Sequence, residues 1–288
     1  MLNDQILKTL EYFDVQDRPL TLLEIYKYLL GPIDQPVQLS DILRALENNL
    51  KDRVTSIEGF YCLTNHQEII ANRKANNFYS IPRMRLVKKY LPLAKYIPFI
   101  RAAGLSGSEA LSTSKKGSDI DILLFTAPDR IWTARFFATA FYQLLGIRRH
   151  GKYIENRFCL NHYIAGIKHI QNDNNIYTAV EYASLISFFG GSVISLFQEA
   201  NLTWIKKYLP NFKLFKHSAS PKASLQKFIE FFLNGQVGNF VEYLLGKMQR
   251  RRIIAQSHII IEPDELSFHP GSKGQQVLKR YAEQTSNS

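Results

Sequence analysis

The stretch GLSGSEALSTSKKGSDIDILLFT, residues 104–126, sets a small-residue turn, Gly107-Ser108, ten residues ahead of two aspartates, Asp119 and Asp121. The aspartates alternate with isoleucines and run into Leu-Leu-Phe, a pattern that reads as a strand. Side chains two apart on a strand share a face, so both carboxylates point the same way. Two like charges held that close are unfavourable unless a positive charge sits between them. A hard divalent cation with oxygen ligands, most often Mg²⁺ carrying a nucleotide's phosphates, meets that need. The Gly-Ser turn can present backbone amides to such phosphates where a helix begins.

This spacing resembles the nucleotidyltransferase superfamily, the polymerase-β-like fold, whose signature is Gly-Ser followed some ten residues later by Asp-x-Asp. Gly107 and Ser108 match its phosphate-contacting pair, Asp119 and Asp121 its two metal-binding aspartates, and Ser118 the small polar residue often found before the first of them. The resemblance implies transfer of a nucleoside monophosphate from an NTP to a hydroxyl, with Mg²⁺ or Mn²⁺ as cofactor and loss of pyrophosphate. The motif covers only this short segment. Lys115 and Lys116 lie in the same loop, placed either to meet a triphosphate or simply to be solvated.

Catalytic members of the superfamily carry a third carboxylate on a later strand. The strand available here, RFCLNHYI (157–164), has Asn161 at the comfortable position, with His162 beside it. Asn can ligate Mg²⁺ through its carbonyl oxygen but cannot act as a base. Glu155 before the strand, Asp173 after it and Glu181 early in the next helix are the substitutes, and Glu181 is the first to test. His162 is either a general base or a hydrogen-bonded structural residue. With Asn161 in the third position, either the aspartate pair suffices or the domain binds nucleotide without turning it over.

The fold class expected is α+β: residues 1–65 a winged helix-turn-helix-like module, 66–97 a basic helical connector, 98–175 a nucleotidyltransferase domain with a mixed sheet and flanking helices, and 176–288 a mostly helical region. In the first of these, Asp4–Phe13 has apolar residues at helical spacing. Thr21 and Ser40 are in position to cap two further helices, the first ended by Gly31-Pro32, and RVTSIEGFYCL (53–63) alternates around Glu58-Gly59 as a two-stranded wing. Charge argues against duplex DNA for this module. Residues 1–65 hold 6 Lys/Arg and 10 Asp/Glu, net −4, whereas residues 66–288 hold 30 and 15, net +15. An acidic module is repelled by phosphates, so protein–protein or dimer contact is the better reading.

The positive charge lies in two stretches. Between Gln67 and Arg101 eight cations face only Glu68, and Pro82 is expected to interrupt the helix there. Residues 201–260 carry ten cations (Lys206, Lys207, Lys213, Lys216, Lys222, Lys227, Lys247 and Arg250–Arg252) against Glu230 and Glu242. Both stretches suit a polyanionic acceptor such as an RNA end, and a cationic drug-like acceptor fits poorly with them. The aromatic helix Arg130–Leu145 reads as core packing. The segment from Phe228 to Leu245 reads as a packed helical segment rather than a span, and a Pro270-Gly271-Ser272 turn precedes a short basic helix. Cys62 and Cys159 show no metal-ligand spacing and read as buried, inert thiols in a reducing cytoplasm. No signal peptide is apparent and no membrane partner is expected. Two other functions compete: a non-catalytic nucleotide- or nucleic-acid-binding regulator, and a toxin-like transferase acting on a protein hydroxyl.

Overall fold

The computed structural model describes residues 1–33, 35–170, 173–215, 217, 223–253, 259–268 and 273–286. Lys216, Lys222 and the Pro270-Gly271-Ser272 turn lie outside the described residues.

The chain opens with α1 (Leu2–Asp14), whose Ile6, Leu10 and Phe13 are buried at helical spacing. A two-residue strand, β1 (Leu20–Thr21), leads into α2 (Leu22–Lys27). Thr21 caps α2 as its sequence position suggests: the Glu24 amide donates to Thr21 Oγ1 at 3.3 Å and the Thr21 amide to Glu24 Oε2 at 2.9 Å. The helix stops at Lys27, before Gly31-Pro32, and the amide of Leu30 then donates to Thr9 Oγ1 on α1 at 2.9 Å. The next helix, α3 (Leu39–Arg44), is capped two residues earlier than expected, at Gln38 rather than Ser40, because Asp41 accepts from the Gln38 amide at 2.9 Å. It runs on through a wider turn, Ala45–Asn49. Strands β2 (Val54–Ile57) and β3 (Phe60–Leu63) pair antiparallel around Glu58 and Gly59, both with positive φ, and β1 joins the other edge of β3.

Helix α4 (Glu68–Tyr90) passes straight through Pro82, contrary to the expected interruption. Two features explain this. The carbonyl that proline deprives of a partner belongs to Phe78, which is exposed, so water can serve it. The helix is also held on both sides of Pro82 by buried arginines. Arg73 reaches Glu24 at 2.8 Å, and Arg83 donates to Asn156, Ser114 and the carbonyl of Lys115 at 2.8–2.9 Å.

A 3₁₀ turn (Leu91–Tyr96) enters the central sheet, formed by β4 (Ile100–Leu105), β5 (Ile120–Thr126), β6 (Phe158–Ala165), β7 (Ile186–Phe189), β8 (Ile259–Ile261) and β9 (Glu265–Phe268). Their order is β7-β4-β5-β6-β9-β8, with β5 and β6 parallel and the other pairs antiparallel. The fold is therefore mixed α+β, and three of the six strands come from beyond residue 175. Short α5 (Gly107–Ala110) sits between β4 and β5, and α6 (Ile131–Leu144) makes the crossover to β6. Helices α7 (Ile176–Ala183), α8 (Gly191–Ala200), α9 (Leu202–Tyr208), α10 (Ser224–Phe232), α11 (Gly235–Ile253) and α12 (Lys273–Ser286) complete the chain.

Strand alternation divides the sheet's side chains between two layers. Ile122, Leu124 and Tyr163 pack with Trp132 and Tyr142 of α6. Leu123, Phe125 and Ile164 pack with Tyr182, Phe197 and Trp204 on the opposite face, in a core that continues into Ile6, Leu10 and Ile25 of the N-terminal unit. The N-terminal unit therefore shares its core with the rest of the chain. The Gly31 amide donates to the Tyr208 carbonyl at 3.2 Å, and the Tyr12 and Tyr281 rings meet edge-on at 5.5 Å.

The segment from Phe228 to Leu245 is not packed as expected. It forms two helices, α10 and α11, that leave Phe228, Phe231, Phe232, Phe240 and Tyr243 exposed.

Arg83 and Glu109 are buried with an Nη1–Oε2 separation of 3.9 Å, and Ser80 and Ser114 also donate to Glu109. Removing one partner of such a pair strands the other's charge. Arg83→Met should lower unfolding free energy by about 3 kcal/mol, measured by urea denaturation, whereas Arg85→Met on the exposed side of the same helix should change it by less than about 0.5 kcal/mol.

Candidate active site

Where β4 ends, Ser106 ties the chain to β5, its amide donating to the carbonyl of Asp121 at 3.0 Å. Gly107 follows with φ +64°, a conformation that glycine adopts without strain. A Cβ at this position would lie 2.5 Å from Asp121 Oδ2, so the backbone touches the carboxylate directly. Turn and aspartate are thus packed against each other, as their spacing suggested. The turn rests on the network of Arg83, Glu109, Ser114 and Ser80.

Asp119 lies immediately before β5 and Asp121 is its second residue. One carboxylate oxygen from each, together with Cys159 Sγ, lie within 4.8 Å of one another. The parallel register sets Asp121 opposite Cys159, so the position next to the pair on β6 belongs to this cysteine and not to Asn161. A register shift follows, and Leu123 then pairs with His162. Burial and the two carboxylates push the Cys159 thiol up, so it stays protonated and is no nucleophile. Arg149 Nη1 reaches Asp119 Oδ2 at 2.5 Å and Cys159 Sγ at 3.4 Å. Burial first, then the neighbouring Asp119, pushes the Asp121 carboxyl up to about 7, with Lys273 pulling the other way.

These groups open into a cavity of about 790 Å³ between the sheet, α7 and the start of α12. Of the sequence-derived candidates, Gly107, Asp119, Asp121, Asn161, His162, Asp173 and Glu181 line it. Glu181 falls in the last turn of α7 rather than near its start, where the Asn175 side chain is the cap, accepting from the Thr178 amide at 3.0 Å. Burial pushes the Glu181 carboxyl up, against the pull of His162 and Lys273. His162 Nε2 is 3.1 Å from Glu265 Oε1, which makes it part of a buried polar pair.

Other candidates lie elsewhere. Ser108 lines a second cavity of about 20 Å³, where Tyr12 and Gln16 of the N-terminal unit come down beside the Gly107-Ser108 turn. Ser118 closes its own loop by accepting from the Lys115 amide at 3.0 Å. Lys115 pairs with Asp17 at 2.7 Å, Lys116 is exposed, and neither lines the large cavity. Glu155 accepts from the Gly117 amide at 3.3 Å and is also outside it.

Sequence reasoning missed Cys159, Arg149, Lys168, Lys273 and Glu265. Arg149 had a signal, the cation cluster just before β6. Lys168, bonded to Asp264 at 2.8 Å and to Glu265 at 3.0 Å, had none. The wall holds seven carboxylates against Arg149, Lys168 and Lys273.

Two close carboxylates beside a glycine that leaves room for them suit a hard divalent cation. The thiol adds a soft group that such a cation does not favour, so the fit rests on Asp119 and Asp121. Comparison with known proteins finds no matching family model, no matching curated protein and no matching solved structure.

Asp121 holds its proton more tightly in the folded chain than in the unfolded one. Its contribution to stability is full below the ordinary 3.8 and is lost as pH rises towards about 7. Asp121→Asn should therefore raise the metal-free Tm at about pH 8 and leave it unchanged at about pH 4. Mn²⁺ should raise the wild-type Tm more at about pH 8 than at about pH 6, since binding must displace that proton. Gly107→Ala forces a methyl group against Asp121 and should weaken Mn²⁺ binding at least about tenfold, measured by calorimetry.

Proposed function

We propose that the protein is a divalent-cation-dependent nucleotidyltransferase of the polymerase-β-like kind, moving a nucleoside monophosphate from an NTP to a hydroxyl. The observation that carries this reading is the contact between Gly107 and the Asp121 carboxylate in the wall of a cavity large enough for a nucleotide. The N-terminal helices with their three-stranded sheet are, on the same reading, a winged-helix-like module, and its packing beside the Gly107-Ser108 turn supports a structural role there over DNA contact.

Asp119 and Asp121 would hold Mg²⁺ or Mn²⁺, which supplies charge neutralisation at the phosphates and polarisation of the reacting phosphorus. The turn at Gly107 and Ser108 would orient the phosphate tail through backbone amides. Arg149 and Lys273 are the cations of the cavity nearest these carboxylates, and they would balance the charge that develops on departing pyrophosphate. On the acceptor side, Glu181 and His162 are the groups able to take a proton from a hydroxyl. Glu181 is suited by its raised pKa, and His162 by its hydrogen bond to Glu265.

The cavity wall favours an acceptor different from the one composition suggested. Arg73 and Arg83 of the basic connector and Arg101 just after it are consumed by Glu24, Glu109 and Glu230, and none of the described cations of 67–101 or 201–260 lines the cavity, which the second stretch reaches through Ile259 and Ile260. With the wall rich in carboxylates, a neutral or cationic hydroxyl compound fits better than an RNA end.

A second reading has one observation in its favour. Cys159 stands beside the aspartate pair where a third carboxylate would complete the site, and Arg149 is already bonded to Asp119. A nucleotide-binding regulator without turnover is consistent with that.

The two separate in one assay. Incubated with Mg²⁺ or Mn²⁺, α-labelled NTPs and pooled RNA, protein and small polyol fractions, the wild-type chain should transfer label. Asp119→Asn and Asp121→Asn should each reduce transfer by at least about 100-fold. Saturable NTP binding with no label on any fraction would establish the regulator instead.

A further inference from the structure

Helices α10 and α11 are built inside out. Most of their inward positions are polar or small, with Leu245 and Ile253 of α11 the apolar residues that join the core. Gln226 donates to the carbonyls of Ile97 and Ile100 at 2.9 and 2.7 Å, and Glu230 accepts from the Phe99 amide at 2.6 Å and from Arg101 at 2.7 Å. Glu242 caps α6, accepting from the amides of Trp132 and Thr133 at 2.8 Å, and Gln249 donates to the carbonyl of Trp132 at 3.0 Å. Gly246 lets α11 lie against the Trp132 ring, where a Cβ would come within 3.1 Å. The opposite faces carry the large apolar side chains. Phe228 is 63% exposed and Phe231 76% on α10, and Phe240 is 62% and Tyr243 63% on α11, with Val237 and Leu244 beside them.

Such a surface exceeds what singly scattered apolar residues explain, and it marks a contact site. Two observations select its occupant. The only acids between residues 223 and 253 are Glu230 and Glu242, and both are turned inward, so every charge displayed is positive: Lys227, Lys247, Arg250, Arg251 and Arg252, all exposed. A second copy docking through this face would bring like charges together, because a two-fold interface pairs the patch with itself. The Phe228 and Phe232 rings lock edge-on at 5.1 Å, and Phe231 and Phe232 at 5.4 Å, which makes an apolar plug rather than open ring faces on which successive bases could stack. Exposed phenylalanines and aliphatics flanked by arginine and lysine match an anionic lipid surface, where the apolar side chains enter the acyl boundary and the cations meet the headgroups.

We infer that α10 and α11 form a peripheral attachment surface for anionic membranes. This adds surface contact to a chain in which no described helix is long and apolar enough to cross a bilayer. The attachment does not depend on the catalytic reading, since none of its residues lines the large cavity.

Flotation of the full chain with phosphatidylcholine vesicles, with and without phosphatidylglycerol, tests the inference. Wild type should float with the anionic vesicles at least about tenfold better than with the neutral ones, and less so at high salt. Phe231→Asp/Phe240→Asp should abolish flotation, and replacement of Arg250, Arg251 and Arg252 by Gln should remove its dependence on phosphatidylglycerol. These positions face solvent, so circular dichroism and Tm should match wild type. Absence of flotation overturns the inference. So does a dimer in light scattering that Phe231→Asp dissociates, which would assign the face to a second copy, or single-stranded RNA binding lost with the same substitution and no vesicle binding.

Discussion

The approach of the Gly107 backbone to the Asp121 carboxylate is the constraint around which this molecule is arranged. A Cβ on Gly107 would sit 2.5 Å from Asp121 Oδ2, so no other side chain leaves both groups where they are. Holding them so requires support on each side. The Ser106 amide fastens the turn to β5, while buried Arg83 and Glu109 fasten it to α4 and to the loop before Asp119. The long helix that crosses Pro82 therefore matters to the site although it contributes no residue to the cavity. Its arginines act as internal braces, which is why a stretch so basic in composition offers less free charge than a count suggests.

The electrostatics of the cavity follow from the same compression. Asp119 is bonded to Arg149, and Asp121 is left half-buried with its carboxyl raised to about 7. An acid so placed is held in an unfavourable state whenever it ionises, and a divalent cation is the simplest group that relieves it. Further along the sheet, Lys168 gathers Glu262, Asp264 and Glu265, and Glu265 in turn orients His162. The wall is thus acidic but largely paired. Glu181, raised by burial, and Asp173, raised by burial and by Glu265, are the groups on which a substrate could still draw.

Much of the local structure was legible. The helical spacing of Ile6, Leu10 and Phe13, the Thr21 cap and the turn at Glu58-Gly59 all depend on residues within one or two turns of each other, and each is found. The exceptions have nearby causes. Asp41 reaches back to Gln38 and moves a cap, and Thr9 captures the Leu30 amide and ends α2 early. The nearness of the Asp119 and Asp121 carboxylates was legible for the same reason, since the two stand two residues apart where one strand begins. The partner of that pair was not. Whether Cys159 or Asn161 stands beside Asp121 depends on the register of β6 against β5, and a one-residue irregularity in that pairing shifts the answer. The aromatic segment beyond Ser224 was misread for a related reason. Hydrophobic spacing shows that a helix has an apolar face, but not whether that face turns inward.

By itself the sequence determined the helices and the two-stranded wing of the first 65 residues, the strand that carries Asp121, the pairing of a glycine-serine turn with two aspartates, and the uneven sharing of charge between the first 65 residues and the rest. These are set by neighbours in the chain. The tertiary structure alone decided which groups meet across it: Cys159 and Arg149 at the aspartates, Lys273 and Glu181 on the cavity wall, strands from beyond residue 175 in the central sheet, and phenylalanines left facing outward. Contacts between distant segments depend on strand register and on competition for a shared core, and neither leaves a periodic trace in the order of residues.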